Sequence, residues 1–137
     1  NVCTKTFQAL RIFVNKETTE LIEGIISATK FVKVGGKIIV ISFHSIEDKI
    51  VKFYFNNYSL SKAKPSRYLP ENDNTKSIFF ENYRNNILKP TKKEIFDNPP
   101  SRSAKLRYVI RNDQKFTNPE DLKFKFKKYL DLEAINV

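Results

Sequence analysis

Three stretches of this chain hold residue types that do chemistry. The first is Ser42-Phe43-His44-Ser45, which sets the chain's single histidine between two hydroxyls. It follows a β-branched run and precedes an acidic pair, Glu47-Asp48. An imidazole placed there is able to bind a base, orient a substrate or move a proton. The plainer reading, which the local pattern favours, is that Ser45 only caps a helix and His44 only packs or bonds locally. Glu47 and Asp48 read as helix-start acids rather than a catalytic pair.

The second stretch is Asp97-Asn98-Pro99-Pro100. It is similar to the Asn-Pro-Pro-aromatic motif of amino-group methyltransferases, which follows a buried strand and holds the target amine. Here Ser101 replaces the aromatic residue, and a capped helical turn, KPTKKEIF, precedes it. The match is read as chance, and a DNA-directed amino-methyltransferase would rest on it alone. The third stretch is basic: Arg102, Lys105, Arg107 and Arg111. Arginine forks phosphate oxygens, and a strand face spaces such contacts regularly. A solvated strand face accounts for the pattern as well. Lys62, Lys64 and Arg67, with Tyr58 and Tyr68 nearby, suit a phosphate-and-stacking loop. With three Gly, one Cys and one His, the chain offers neither a glycine-rich phosphate loop nor metal-ligand spacing.

That chemistry needs elements to position it. Phe7, Leu10 and Val14 lie at helical spacing over 4–14, and Asn15 is placed to cap the next helix. Residues 17–33 predict an amphipathic helix carrying Leu21, Ile22, Ile25, Ile26 and Val32, with acids early and lysines late. Gly35-Gly36 ends it. Ile38 to Ile41 then read as a strand buried on both faces, inside a parallel sheet. A helix starts at Ser45, with Ser45 and Asp48 at capping-box spacing. Helix, turn, buried strand and capped helix together predict an α/β fold, in which ligands bind beyond the carboxyl ends of strands. The Ser-Phe-His-Ser cluster sits at such an end.

Further along, 56–77 is polar and predicts a surface loop, and 78–90 predicts a short strand. Thr91 and Glu94 cap a short helix through about Phe96, and 98–103 reads as a turn. Residues 104–111 alternate as a half-exposed strand with Lys105, Arg107, Val109 and Arg111 on a basic face. Asn118 and Pro119 open a helical tail over 113–137, whose lysines read as a solvated face.

Composition bounds the rest. A chain of 137 residues defaults to one domain with a real core. Net charge +10 favours a polyanion, most simply nucleic acid, although an AT-rich genome also yields lysine and asparagine in excess. Cys3 stands alone, which fits a reducing, cytoplasmic compartment. No segment approaches the roughly 18 apolar residues of a membrane span, and no signal peptide is visible. The chain holds no Met, even at position 1, which predicts a fragment of a longer polypeptide.

Three blocks together resemble the ribosomal RNA small subunit methyltransferase H family: TFQALRIFVN at 6–15, GGKIIVISFHSIEDKIVK at 35–52, and the stretch from KPTKKEI to NPPSRSAKLR at 89–107. The resemblance covers about residues 4–111 and matches the C-terminal part of that family. It implies transfer of a methyl group from S-adenosylmethionine to the N4 amine of a cytidine in 16S ribosomal RNA, in the small ribosomal subunit. It implies the C-terminal part of a Rossmann-like methyltransferase sheet with flanking helices over 1–112. By analogy 4–14 returns from a helical insertion, 37–43 is the fifth strand, and 104–111 is the last strand, antiparallel to its neighbours. Ser42, His44 and Ser45 would then lie near the substrate pocket. Lys5, Arg11, Arg102, Lys105 and Arg107 would contact RNA. The departures are Asn1-Val2-Cys3-Thr4-Lys5 where the family has His-Pro-Ala-Thr-Arg, Pro100 for a common Arg, and Ile110 for a common Glu. The family's glycine-rich cofactor loop, ribose-binding acid and Asp-Leu-Gly segment precede the matched region, so the fragment alone is expected to be inactive. The alternative is a non-catalytic RNA-binding remnant. An open sheet edge and an uncovered apolar face also predict dimerisation or aggregation of the isolated chain.

Overall fold

A computed structural model describes residues 2–60, 77–81, 83–84 and 87–135. The loop cations Lys62, Lys64 and Arg67, with Tyr68, fall outside them. The first two helices are α1 (Val2–Val14) and α2 (Glu17–Phe31). They are joined by Lys16 in a left-handed conformation, φ 51°. Lys16, not Asn15, is the N-cap of α2. Gly35 takes φ +76°, the left-handed region that favours glycine, and turns the chain into β1 (Lys37–Ser42). α3 (Ser45–Asn57) follows, then α4 (Lys92–Asp97), a 3₁₀ turn over Pro99–Ser103, and β2 (Lys105–Ile110). The tail holds α5 (Glu120–Lys125) and α6 (Lys127–Glu133).

β1 and β2 pair antiparallel, from Lys37 opposite Ile110 to Ser42 opposite Lys105. The fold is mixed α/β, and β2 runs in the direction expected of it. The remaining strand expectation needs correction: 78–90 contributes isolated bridges at Phe80 and Leu88, not a strand, among the described residues. β1 is not buried on both faces either. Ile38 is buried, whereas Ile39 and Ile41 are 59% and 55% exposed. Helix α3 covers one face of the sheet, and the other leaves Ile39 and Ile41 exposed.

The core lies between that inner face and the helices. Ile50, Val51, Tyr54 and Phe55 of α3 meet Ile22 and Ile25 of α2, Val109 of β2, and Leu122 and Phe126 from the tail. Rings knit it together. Tyr54 and Phe55 meet Phe80 edge-on at 5.5 and 5.6 Å, and Tyr58 stacks on Phe79 at 5.1 Å. Tyr58 is therefore core, not a stacking platform of the polar loop, and α3 runs on to Asn57, past the expected start of that loop. Offset and edge-on ring contacts add about 0.5–1.5 kcal/mol each beyond burial.

Two polar devices hold the elements in place. Arg111 is buried, and its guanidinium donates to the carbonyls of Thr29, Phe79 and Gln114. It thereby ties α2, residues 77–81 and the tail to the end of β2. Glu133 of α6 accepts from the backbone N–H groups of Thr18 and Thr19, at 3.0 and 2.8 Å. These are orphan donors of the first turn of α2, so the tail caps a helix more than a hundred residues away.

Candidate functional site

The corner after β1 is built by its backbone. Ser42 ends the strand, Phe43 is exposed, and His44 takes an extended conformation, φ −116°, ψ 151°. His44 is thus the N-cap of α3. The carboxylate of Glu47 accepts from the N–H groups of Phe43 and His44, at 2.9 and 3.1 Å. The capping box is His44 with Glu47, one residue earlier than the expected pairing of Ser45 with Asp48.

With its backbone held from α3, His44 turns its ring toward α1. Its Nε2 lies 2.7 Å from Nη2 of Arg11. A guanidinium only donates. Nε2 is therefore the acceptor in this contact. Glu17 grips the same guanidinium in a fork, Oε1 to Nε at 2.7 Å and Oε2 to Nη2 at 3.1 Å. That bond, and the charge behind it, raise the pKa of Arg11 above its ordinary value. The Arg11 side chain stays half-exposed, so it keeps donor capacity toward solvent.

Ser42 is buried, and its hydroxyl lies 3.5 Å from the Lys105 carbonyl. It shapes the corner from inside, while Ser45 is exposed at the first position of α3. Beneath the corner, Asp48 accepts from Arg107 Nε at 2.7 Å and Arg107 Nη2 at 3.2 Å. It accepts also from Lys105 Nζ at 3.1 Å. Arg107 Nη1 donates to the Tyr83 hydroxyl at 2.7 Å. Burial alone would raise the pKa of Asp48, but the hydrogen bonds from Arg107 and Lys105 outweigh it and hold the carboxyl below its usual range.

This network corrects the reading of β2. Arg107 is 2% exposed, so it is not positioned to contact RNA. The face carrying Arg107, Val109 and Arg111 is the inner one. Alternation was legible, but its polarity was inverted, because two arginines are buried with fixed partners. Lys5 and Arg102 are exposed, on α1 and the 3₁₀ turn. The guanidinium of Arg102 points back to the Pro99 carbonyl at 3.4 Å. The cations the fold brings to the corner are Arg11 and Lys105. The pairing of Arg11 with His44 had no local signal, since 33 positions separate them.

A hollow of about 160 Å³ lies on the outer face of the sheet, lined by Ile41, Leu88, Lys89 and Leu106 among others. That is below the roughly 300 Å³ of a small-molecule site, so the described residues supply a wall rather than a closed pocket. They do not fit S-adenosylmethionine. No glycine-rich turn follows β1, and the left-handed Gly35 precedes the strand and binds Arg111 instead. No metal-binding cluster and no helix long and apolar enough to cross a membrane occur among the described residues.

The family model described as the MraW methylase family matches residues 1–112. A ribosomal RNA small subunit methyltransferase H from Ehrlichia canis is 48% identical over 81% of this chain and 34% of its own length. One from Bartonella bacilliformis is 44% identical over 79% and 32%. The human 12S rRNA N(4)-cytidine methyltransferase METTL15 is 38% identical over 81% and 31%. The chain thus spans about a third of the length of these relatives.

Proposed function

The chain belongs to the MraW methylase family, and we propose that it is the C-terminal part of an rRNA methyltransferase that modifies the N4 amine of a cytidine in the small ribosomal subunit. S-adenosylmethionine would supply the methyl group; the described residues do not hold it, and β1 and β2 would help complete a Rossmann-like sheet. The substrate amine is a poor nucleophile, because its lone pair is delocalised into the ring. Positioning is then the main contribution of the protein.

The observation that carries this reading is the Arg11–His44 contact at the carboxyl end of β1. Arg11 fixes the imidazole by its Nε2. Ser45 offers a hydroxyl beside it. Both suit the hydrogen-bonding edge of a cytosine, and the charge of Arg11 suits the adjoining phosphate. No proton-transfer step is assigned to His44.

The test is a chimera that joins the preceding part of the Ehrlichia canis relative to this chain, assayed for methyl transfer to immature small subunits. His44→Ala is expected to lower kcat/KM about a hundredfold, the scale of a misplaced reactant. Parent-like activity would refute the assignment. One observation favours a second reading, a non-catalytic RNA-binding remnant: the described residues form no cofactor site of their own. A chimera that binds RNA and the cofactor yet transfers no methyl group would favour it.

A further inference from the structure

The geometry points to a second RNA contact, outside the methyl-transfer corner and built by the tail: a lysine-rimmed aromatic groove that takes a single-stranded RNA segment. This inference rests on the reading of the chain as part of an RNA methyltransferase. The groove, about 470 Å³, lies between α3 and α5 and is lined by Lys49, Lys52, Phe53, Asn56, Lys125 and Phe126 among others. Lys125 and Phe126 lie beyond the 1–112 region that the family model matches.

Three features select the occupant. First, the lining holds three lysines, two asparagines and no carboxylate, which suits phosphate and opposes an acidic neighbour of its own. Secondly, Phe53 is braced for stacking. Its ring meets Phe126 edge-on at 5.6 Å, so Phe126, itself buried, sets its angle. The Lys125 ammonium stands 6.0 Å from the Phe53 ring centre, at the outer limit of a cation–π contact. A base that stacks on Phe53 displaces that weakly held ammonium toward its own phosphate, and base–aromatic stacking tolerates any sequence. Thirdly, α3 runs from the corner to the groove. Ser45, Lys49, Lys52 and Asn56 stand at intervals of four, three and four residues, along one face of α3. Phe53 lies about 12 Å along the axis from Ser45. A strand that leaves the target nucleotide at the corner has a charged path to the groove. Ammonium groups on flexible stems, with no fixed fork, suit a path that holds backbone without reading sequence.

The test titrates the 137-residue chain, at nanomolar concentration, against a fluorescent single-stranded RNA oligonucleotide of mixed sequence, with heparin and an acidic peptide in parallel. Lys49→Glu combined with Lys125→Glu is expected to weaken RNA binding about tenfold or more. It should also flatten the salt dependence by roughly 0.7 per lost phosphate contact. Phe53→Leu, checked for an unchanged far-ultraviolet spectrum, should lower RNA affinity about tenfold and leave heparin affinity unaltered. RNA affinity within about twofold of the parent in the double lysine variant would overturn the proposal. So would an equal loss of heparin and RNA binding in Phe53→Leu, which marks a general basic surface, or tighter binding of the acidic peptide than of RNA. The readout is binding, so its failure leaves methyl transfer by the chimera standing, and loss of transfer leaves the groove standing.

Discussion

Arg11 and His44, 33 positions apart, meet at 2.7 Å through Nη2 and Nε2, and the contact sets the direction of the only imidazole in the chain. Neither residue is anchored by the other alone. Glu17 holds the guanidinium in its fork, and Glu47 holds the backbone of His44. The corner is thus set by two carboxylates, one on each flanking helix.

Removing Arg11 should separate orientation from stability. In the chimera, Arg11→Ala is expected to lower methyl transfer about tenfold. Its melting temperature should stay near that of the parent, because exposed ion pairs contribute little to folding. Arg11→Lys should behave like the alanine variant, since an ammonium cannot make the fork to Glu17 while reaching His44. Parent-like activity in both would show that the contact has no role in the reaction.

Asp48 should be far more costly to remove. Asp48→Ala leaves the buried Arg107 charge without its carboxylate partner, which is expected to destabilise by about 3–5 kcal/mol. Denaturant unfolding reads this directly. A loss below about 1 kcal/mol would mean that Arg107 readily finds other partners.

Acid should weaken the fold through Asp48 and Glu133 together. For Glu133 as for Asp48, burial pushes the carboxyl up, but hydrogen bonds from Thr19 and Thr18 outweigh it and lower the pKa. Both folded values lie below the unfolded ones. Their stabilisation is therefore complete above the ordinary carboxylate pKa of about 4 and is lost as pH falls through the folded values. Glu133→Gln should flatten stability against pH below about pH 4, and cost about 2 kcal/mol at neutral pH as charged hydrogen bonds to the start of α2 become neutral ones. A pH profile identical to the parent's would refute the cap.

The isolated chain is expected to self-associate. Phe7, Leu10 and Val14 on α1 are 72%, 52% and 71% exposed, and Ile39 and Ile41 stand on the bare face of the sheet. Ile39→Lys with Ile41→Glu should shift sedimentation toward the monomer while the circular dichroism spectrum holds. A parent chain that sediments as a clean monomer with a cooperative melt would contradict this expectation.

Much of the local structure was legible in the residue string. Helical spacing in 4–14 and 17–33, the turn at Gly35-Gly36, the β-branched run of β1 and the Thr91 cap of α4, which accepts from the Glu94 N–H at 3.1 Å, are written in contiguous residues. Local sterics and periodicity dictate such features, so reading them needs no partner. The helix that begins at Ser45 was legible too, but its cap was shifted by one residue, because Asp48 commits its carboxylate to Arg107 rather than to the helix terminus.

What only the tertiary structure decided is which face is inside and who meets whom. Alternation in 104–111 predicts two faces without saying which is wet. Arg107 and Arg111 were assigned to solvent by charge, yet both are buried, because Asp48, Tyr83 and several carbonyls converge on them from distant segments. The bond from Arg11 to His44 and the cap from Glu133 to Thr18 and Thr19 likewise join opposite ends of a long loop in sequence. Periodicity fixes the phase of a helix or strand about its own axis. Only packing, by bringing distant partners into hydrogen-bonding range, decides whether a charge is a contact surface or a buried strut.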